Sequence, residues 1–120
     1  MNAADTLDVL DESTLAELAG DDTGDIVGVL VAGFLDEARE RVAAIETAMD
    51  GRDIGAVGFQ AHALKSTAAT YGAPRLSRHA AAIERDARDG RVDAVGTAVR
   101  NLPELWRETD RAFRARYLSG

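Results

Sequence analysis

The 120 residues contain no cysteine, which removes disulfides, thiolate zinc sites and cysteine nucleophiles together. Two histidines are too few for most metal clusters. Neither has a glutamate three residues before it, the pairing that a di-metal centre in a helical bundle uses. Glycine-rich phosphate loops, zincin pairs and nucleophile elbows are missing too. An autonomous enzyme is therefore not expected, and no metal or cofactor is expected on this chain. Basic residues are outnumbered, 14 against 21 acidic, giving a formal charge of -7 and a pI near 4.7. Such a surface repels nucleic acid and anionic membranes. No apolar run approaches a membrane span, and the N-terminus lacks the basic-then-apolar signal pattern. The expectation is a cytoplasmic protein.

Only two prolines and 5% aromatic residues, set against abundant Ala, Leu, Glu and Arg, favour helices. With 46% hydrophobic residues the chain can bury one core. We expect a loose lead-in over 1–10 and one all-α domain over 11–120, an antiparallel four-helix bundle with a short additional N-terminal helix. The short helix is predicted over Glu12 to Ala19, capped by Asp11 and stopped by Gly20, with Leu15 and Leu18 packing it across the bundle end. Asp22 or Thr23 caps a second helix reaching Met49, before Asp50-Gly51. Its predicted core residues are Ile26, Val27, Leu30, Val31, Phe34, Ala38, Val42, Ile45 and Met49, and Asp36, Glu37, Arg39, Glu40 and Arg41 read as a solvated face. Asp53 caps the third helix and Gly72 closes it. Pro74 opens a fourth that runs to about Asp89, with Leu76, Ala80, Ile83 and Ala87 inward. The fifth spans Val92 to Leu118, with Val92, Val95, Val99, Leu102, Trp106, Phe113 and Tyr117 inward and a bend rather than a break at Pro103. His79 reads as a partly buried histidine at the bundle edge. The charge-rich outer faces favour a monomer.

The third helix draws attention. Ile54, Val57, Ala61, Leu64, Ala68 and Tyr71 form one apolar seam. At roughly 100° per residue, His62 lies about 140° from the seam's centre and faces solvent. Gly55, Phe59, Ser66 and Thr70 share its side, with Lys65 and Ala69 at the margins. An outward Phe one turn before an outward His, among small residues, reads as a docking surface. Gly55 and Gly58 weaken the helix by roughly 1 kcal/mol each relative to Ala, which suits either a visiting partner or a close helix neighbour. A solvent-facing imidazole serves as nucleophile or proton carrier, and Lys65, one turn on, is placed to hold an anion attached to it. Position alone also allows an ordinary polar surface histidine. If the hairpin between the third and fourth helices folds about residue 73, Glu84 stands level with His62. It is then a candidate to orient the imidazole, or the partner of Arg85, Arg88 or Lys65.

His62-Ala63-Leu64-Lys65-Ser66, then Tyr71-Gly72-Ala73, Leu76 and the Ile83-Glu84 pair, resemble the signature of histidine-containing phosphotransfer (HPt) domains of bacterial phosphorelays. The resemblance runs from about Leu10 to Leu118. It implies that His62 accepts a phosphoryl group at Nε2 from a receiver-domain phospho-aspartate, or from a hybrid histidine kinase, and passes it to another response regulator. It further implies that Lys65 steadies the added charge, that Glu84 lies near the histidine as in chemotaxis-kinase relatives, and that Mg²⁺ sits in the partner receiver. Phe59, Ser66, Ala69, Gly55 and Gly58 would meet that receiver, with Ser66 standing where the family usually has glycine. Two other readings stay open: a phosphoacceptor module phosphorylated directly by a kinase ATP-binding domain, and a non-phosphorylated HPt-like interaction module. The start at Met1 favours a free-standing protein over a piece of a larger kinase.

Overall fold

The computed structural model describes residues 7–20 and 25–118. The elements are α1 (Glu12–Ala19), α2 (Asp25–Asp50), α3 (Ile54–Tyr71), α4 (Pro74–Arg88), α5 (Val92–Phe113) and a π-helical turn (Arg114–Leu118). Among the described residues there is no strand. α3 packs between α2 and α4, and α5 closes the square against α4 and α2. Partner residues run in opposite directions across each seam: Gln60 and Thr67 of α3 meet Arg41 and Glu37 of α2, and His79 and Arg75 of α4 meet Ala98 and Glu108 of α5. The bundle is antiparallel, with α1 at the end where α3 turns into α4.

Local chemistry sets these boundaries. The Asp11 carboxylate accepts the Ser13 N–H at 3.0 Å, and the Asp53 carboxylate accepts the Ala56 N–H at 3.0 Å, each satisfying an otherwise orphan donor at a helix start. Gly72 takes φ 85°, the left-handed conformation that closes α3, and donates its N–H to Ala68. Its carbonyl accepts the Asp11 N–H at 2.7 Å, and a Cβ there would lie 2.6 Å from the Asp11 carbonyl oxygen. Only glycine fits that turn against the N-terminal segment. Pro74 then opens α4. The expected caps Asp22 and Thr23 fall outside the described residues.

The core draws on every helix, with Leu15, Phe34, Leu64, Ile83, Leu102 and Phe113 all buried. The Phe34 ring stacks on Tyr71 at 5.4 Å and meets Phe113 at 4.9 Å, tying α2, α3 and α5 together. α5 continues through Pro103 without a break. His79 is half-buried, as expected, and donates its Nε2–H to the Ala98 carbonyl at 2.7 Å. No helix of the described residues is long and apolar enough to cross a membrane.

Several expectations need correction. Ile26, Leu18 and Val92 are exposed, because they sit near helix starts or on a short end helix where no neighbour among the described residues extends over them. Trp106 packs against the core from its edge, half-buried, and Leu35, absent from the expected core, is buried. Of the expected loose lead-in, residues 1–6 fall outside the described residues, while Leu7 and Asp8 are held: the Leu7 carbonyl accepts from the Arg75 guanidinium at 2.7 and 2.9 Å, and the Asp8 carbonyl from the Arg75 N–H at 3.1 Å. The solvated face of α2 is solvated only in part. Arg41 is half-buried and donates to Gln60 at 3.0 Å, and Glu37 accepts from the Thr67 hydroxyl at 2.6 Å. These contacts clasp α2 to α3. The helix runs to Leu118 as expected, but its last described turn, from Arg114, is π-helical, with Arg116 paired to Glu12 and Tyr117 packed 6.2 Å from Phe113.

Candidate functional site: an open imidazole on α3

The apolar seam of α3 buries Val57, Ala61, Leu64 and Ala68, which turns the opposite side outward. His62 stands on that side with 61% of its side chain exposed, and Phe59, one turn earlier, is 71% exposed. Gly55, Ser66 and Ala69 are exposed alongside them. Gly58 differs, because it is half-buried and a Cβ there would meet the Ala87 Cβ at 3.3 Å. Its smallness lets α4 come close to α3, which is the helix-neighbour reading of that glycine.

That closeness brings Glu84 to His62. The Glu84 carboxylate is mostly covered, 19% exposed, and holds two donors: His62 Nδ1 at 2.6 Å from Oε2 and Lys65 Nζ at 2.6 Å from Oε1. Both expected relationships of Glu84, to the histidine and to a basic neighbour, therefore occur at once. Lys65 is the only lysine in the sequence. Its backbone carbonyl accepts the Ser77 hydroxyl of α4 at 3.0 Å, a second tie across the same seam.

Electrostatics follow from this order. The Lys65 ammonium, above all, pulls the Glu84 carboxyl below the ordinary glutamate range; partial burial opposes it and the His62 contact adds to it. An ionised carboxylate only accepts hydrogen bonds. The Nδ1 facing it therefore carries the proton, and in the neutral ring Nε2 keeps its lone pair and points away from Glu84. Fixing one ring nitrogen as donor makes the other a defined nucleophile.

Beside His62 lies a shallow depression of about 360 Å³, lined by Ile54, Gly55, Gly58, Phe59, Glu84, Ala87 and Arg88. Of these, Ala87 was read from the sequence as inward-facing core and Arg88 only as an alternative partner of Glu84, neither as part of the site. The spacing from Glu84 to Arg88, one helical turn, is the signal that finds Arg88. Further along the same α3–α4 seam, a second depression runs past Lys65 and Ala69 to Ser77, Arg78 and Ala81. Among the described residues no three His, Cys, Asp or Glu side chains gather to hold a metal ion.

A bundle that presents one carboxylate-backed imidazole in this way has the architecture of a histidine phosphotransfer domain. Residues 29–112 match the Hpt domain family, and the chain belongs to it. It is similar to the phosphorelay protein LuxU of Vibrio harveyi, 30% identical over 108 residues that make up 90% of this chain and 95% of that protein. Its fold is that of histidine-containing phosphotransfer protein B (HptB) from Pseudomonas aeruginosa, with a TM-score of 0.85 at 22% identity, covering 94% of this chain and 97% of the other. A putative histidine-containing phosphotransfer protein from rice shares the fold with a TM-score of 0.78 at 21% identity, over 92% and 80% of the two chains.

Proposed function

We propose that this protein is a phosphorelay intermediate that takes a phosphoryl group onto His62 Nε2 from the phospho-aspartate of a receiver domain and returns it to the aspartate of another. The observation that carries this reading is the ordered Lys65–Glu84–His62 array, which keeps a proton on Nδ1 and leaves Nε2 open to solvent. In the forward step the Nε2 lone pair forms the N–P bond as the P–O bond to the partner's aspartate breaks, freeing that carboxylate. The ring becomes positive while Nδ1 keeps its proton, and the Glu84 carboxylate 2.6 Å away offsets that charge. The return step runs the same bonds backwards.

Phosphoryl transfer needs little covalent work from the protein beyond position and charge. Here the chain supplies nucleophile, orientation and one cation, and the metal belongs to the receiver's own acidic pocket. Lys65 has three N–H donors, so it can keep one on Glu84 while turning another toward a phosphoryl group bearing roughly -1.5 to -2 charge. Phe59, Gly55, Ser66 and Ala69 form the surface on which the receiver rests.

The test is incubation with a phosphorylated receiver domain. Acid-labile, alkali-stable phosphate should appear on the wild-type chain and be absent from His62→Gln. Label that persists in His62→Gln would remove His62 from the relay.

A further inference from the structure

The helices on either side of the His62 face carry opposite charge. α2 has six acidic and two basic residues, and α4 has four arginines against two acidic residues. The division runs through the whole sequence: residues 1–72 contain 14 acidic and four basic side chains, and residues 73–120 contain seven and ten. α3 lies on the boundary.

The division reaches the exposed rims of the face. On the α2 side stand Glu37 and Glu40, both exposed, with Glu37 held toward α3 by the Thr67 hydroxyl. On the α4 side Arg88 lines the depression beside His62 and Phe59. Arg78 lines the depression beside Lys65 and Ala69. Both arginines are exposed. Ion pairs within the bundle engage other arginines, Arg75 with Glu108 and Arg114 with Asp110.

Packed helices stand 8–10 Å apart, so α2 and α4, at opposite corners of the square, are separated by roughly 11–14 Å. That exceeds the screening length of about 8 Å at physiological salt. Each rim therefore acts on a docked surface as its own local field, and the rims do not cancel. Charges at an interface rim act mainly on encounter rate and orientation.

Building on the relay reading above, we infer that the His62 face selects its receiver by polarity. The receiver surface that settles over α4 is acidic, opposite Arg78 and Arg88, and the surface over α2 is basic, opposite Glu37 and Glu40. A receiver approaching the other way round meets like charge on both rims, so the pattern fixes docking orientation as well as partner choice.

The experiment uses the full chain and, from the receivers of its own cell, the one that exchanges phosphoryl with His62 fastest. Second-order transfer rate constants are measured at 0.05 M and 1 M salt for wild type, R78E/R88E, E37K/E40K and the variant combining all four changes. The combined variant keeps the net charge of -7 and reverses only the polarity. At 0.05 M each pair of changes should slow transfer about tenfold and the combination more, within the range of electrostatic steering. At 1 M, where screening shortens to about 3 Å, the four rates should converge. A combined variant as fast as wild type at low salt overturns the inference, because total charge would then be what matters. So does acceleration by R78E/R88E, or a loss that salt does not erase. Equal rates in all four chains sink the polarity and leave the relay standing. If no receiver labels His62, the relay reading fails and this inference goes with it.

Discussion

At the residue scale, one carboxylate orders the site, holding both His62 and Lys65. Glu84 has its pKa lowered in the folded chain, chiefly by Lys65. A group lowered on folding stabilises the fold above its unfolded value, and that contribution is lost as pH falls through the folded value. Compared with Glu84→Gln, the wild-type chain should gain in thermal midpoint above pH 4.5, the ordinary glutamate value, and the difference should close below it. In the same variant the amide carries no charge to offset a positive ring, so phosphoryl transfer at neutral pH should slow by about two orders of magnitude, the lower end of the cost of losing one preorganised electrostatic contact. A pH series of melting curves and a transfer time course check the two parts. The approach of Glu84 to His62 was legible in the sequence, since a hairpin folded about residue 73 sets positions 62 and 84 side by side. The simultaneous capture of Lys65 was not, because a long side chain on a helix margin reaches several acceptors and position alone does not choose among them.

At the scale of the elements, caps and turns carried most of the legible information. Asp11, Gly20, Asp53, Gly72 and Pro74 each announce a boundary by a chemical property of the residue itself, and the helices begin and end beside them. Membership of the core was harder to read. Leu35 sits on the flank of α2's stripe, and Val92 begins α5 at the bundle's end, so burial there depends on which neighbour stands opposite. The closing turn of α3 offers the sharpest check. Gly72→Ala would place a Cβ 2.6 Å from the Asp11 carbonyl oxygen in a left-handed backbone. Left-handed geometry alone costs roughly 1–2 kcal/mol for a residue with a side chain, and the clash adds to it. A drop of about 10 °C or more in thermal midpoint is expected, at roughly 4–8 °C per kcal/mol for a domain near this size. A midpoint within 2 °C of wild type, by the same scale, would show that the turn is not held as described.

Taken whole, the molecule separates what holds it together from what it offers to others, and α3 carries both. Leu64 and Phe59 lie on the same helix, one fully buried and one 71% exposed. Leu64→Ala should cost about 2–5 kcal/mol of stability through the cavity it leaves. Phe59→Ala should leave the melting curve nearly unchanged and weaken receiver binding severalfold, as loss of an aromatic anchor does. Calorimetry with a binding titration on both variants reads the contrast, and a large melting loss for Phe59→Ala would mean that its ring belongs to the core. The two imidazoles divide in the same way. His79 donates its Nε2–H to a neighbouring helix carbonyl, whereas His62 donates its Nδ1–H to Glu84 and, in the neutral ring, leaves Nε2 bare. In their neutral forms the two rings are thus opposite tautomers in one chain. A small electrophile that probes imidazoles at Nε2 finds one of them already spoken for, and the folded protein supplies its own internal standard for the reactivity of the other.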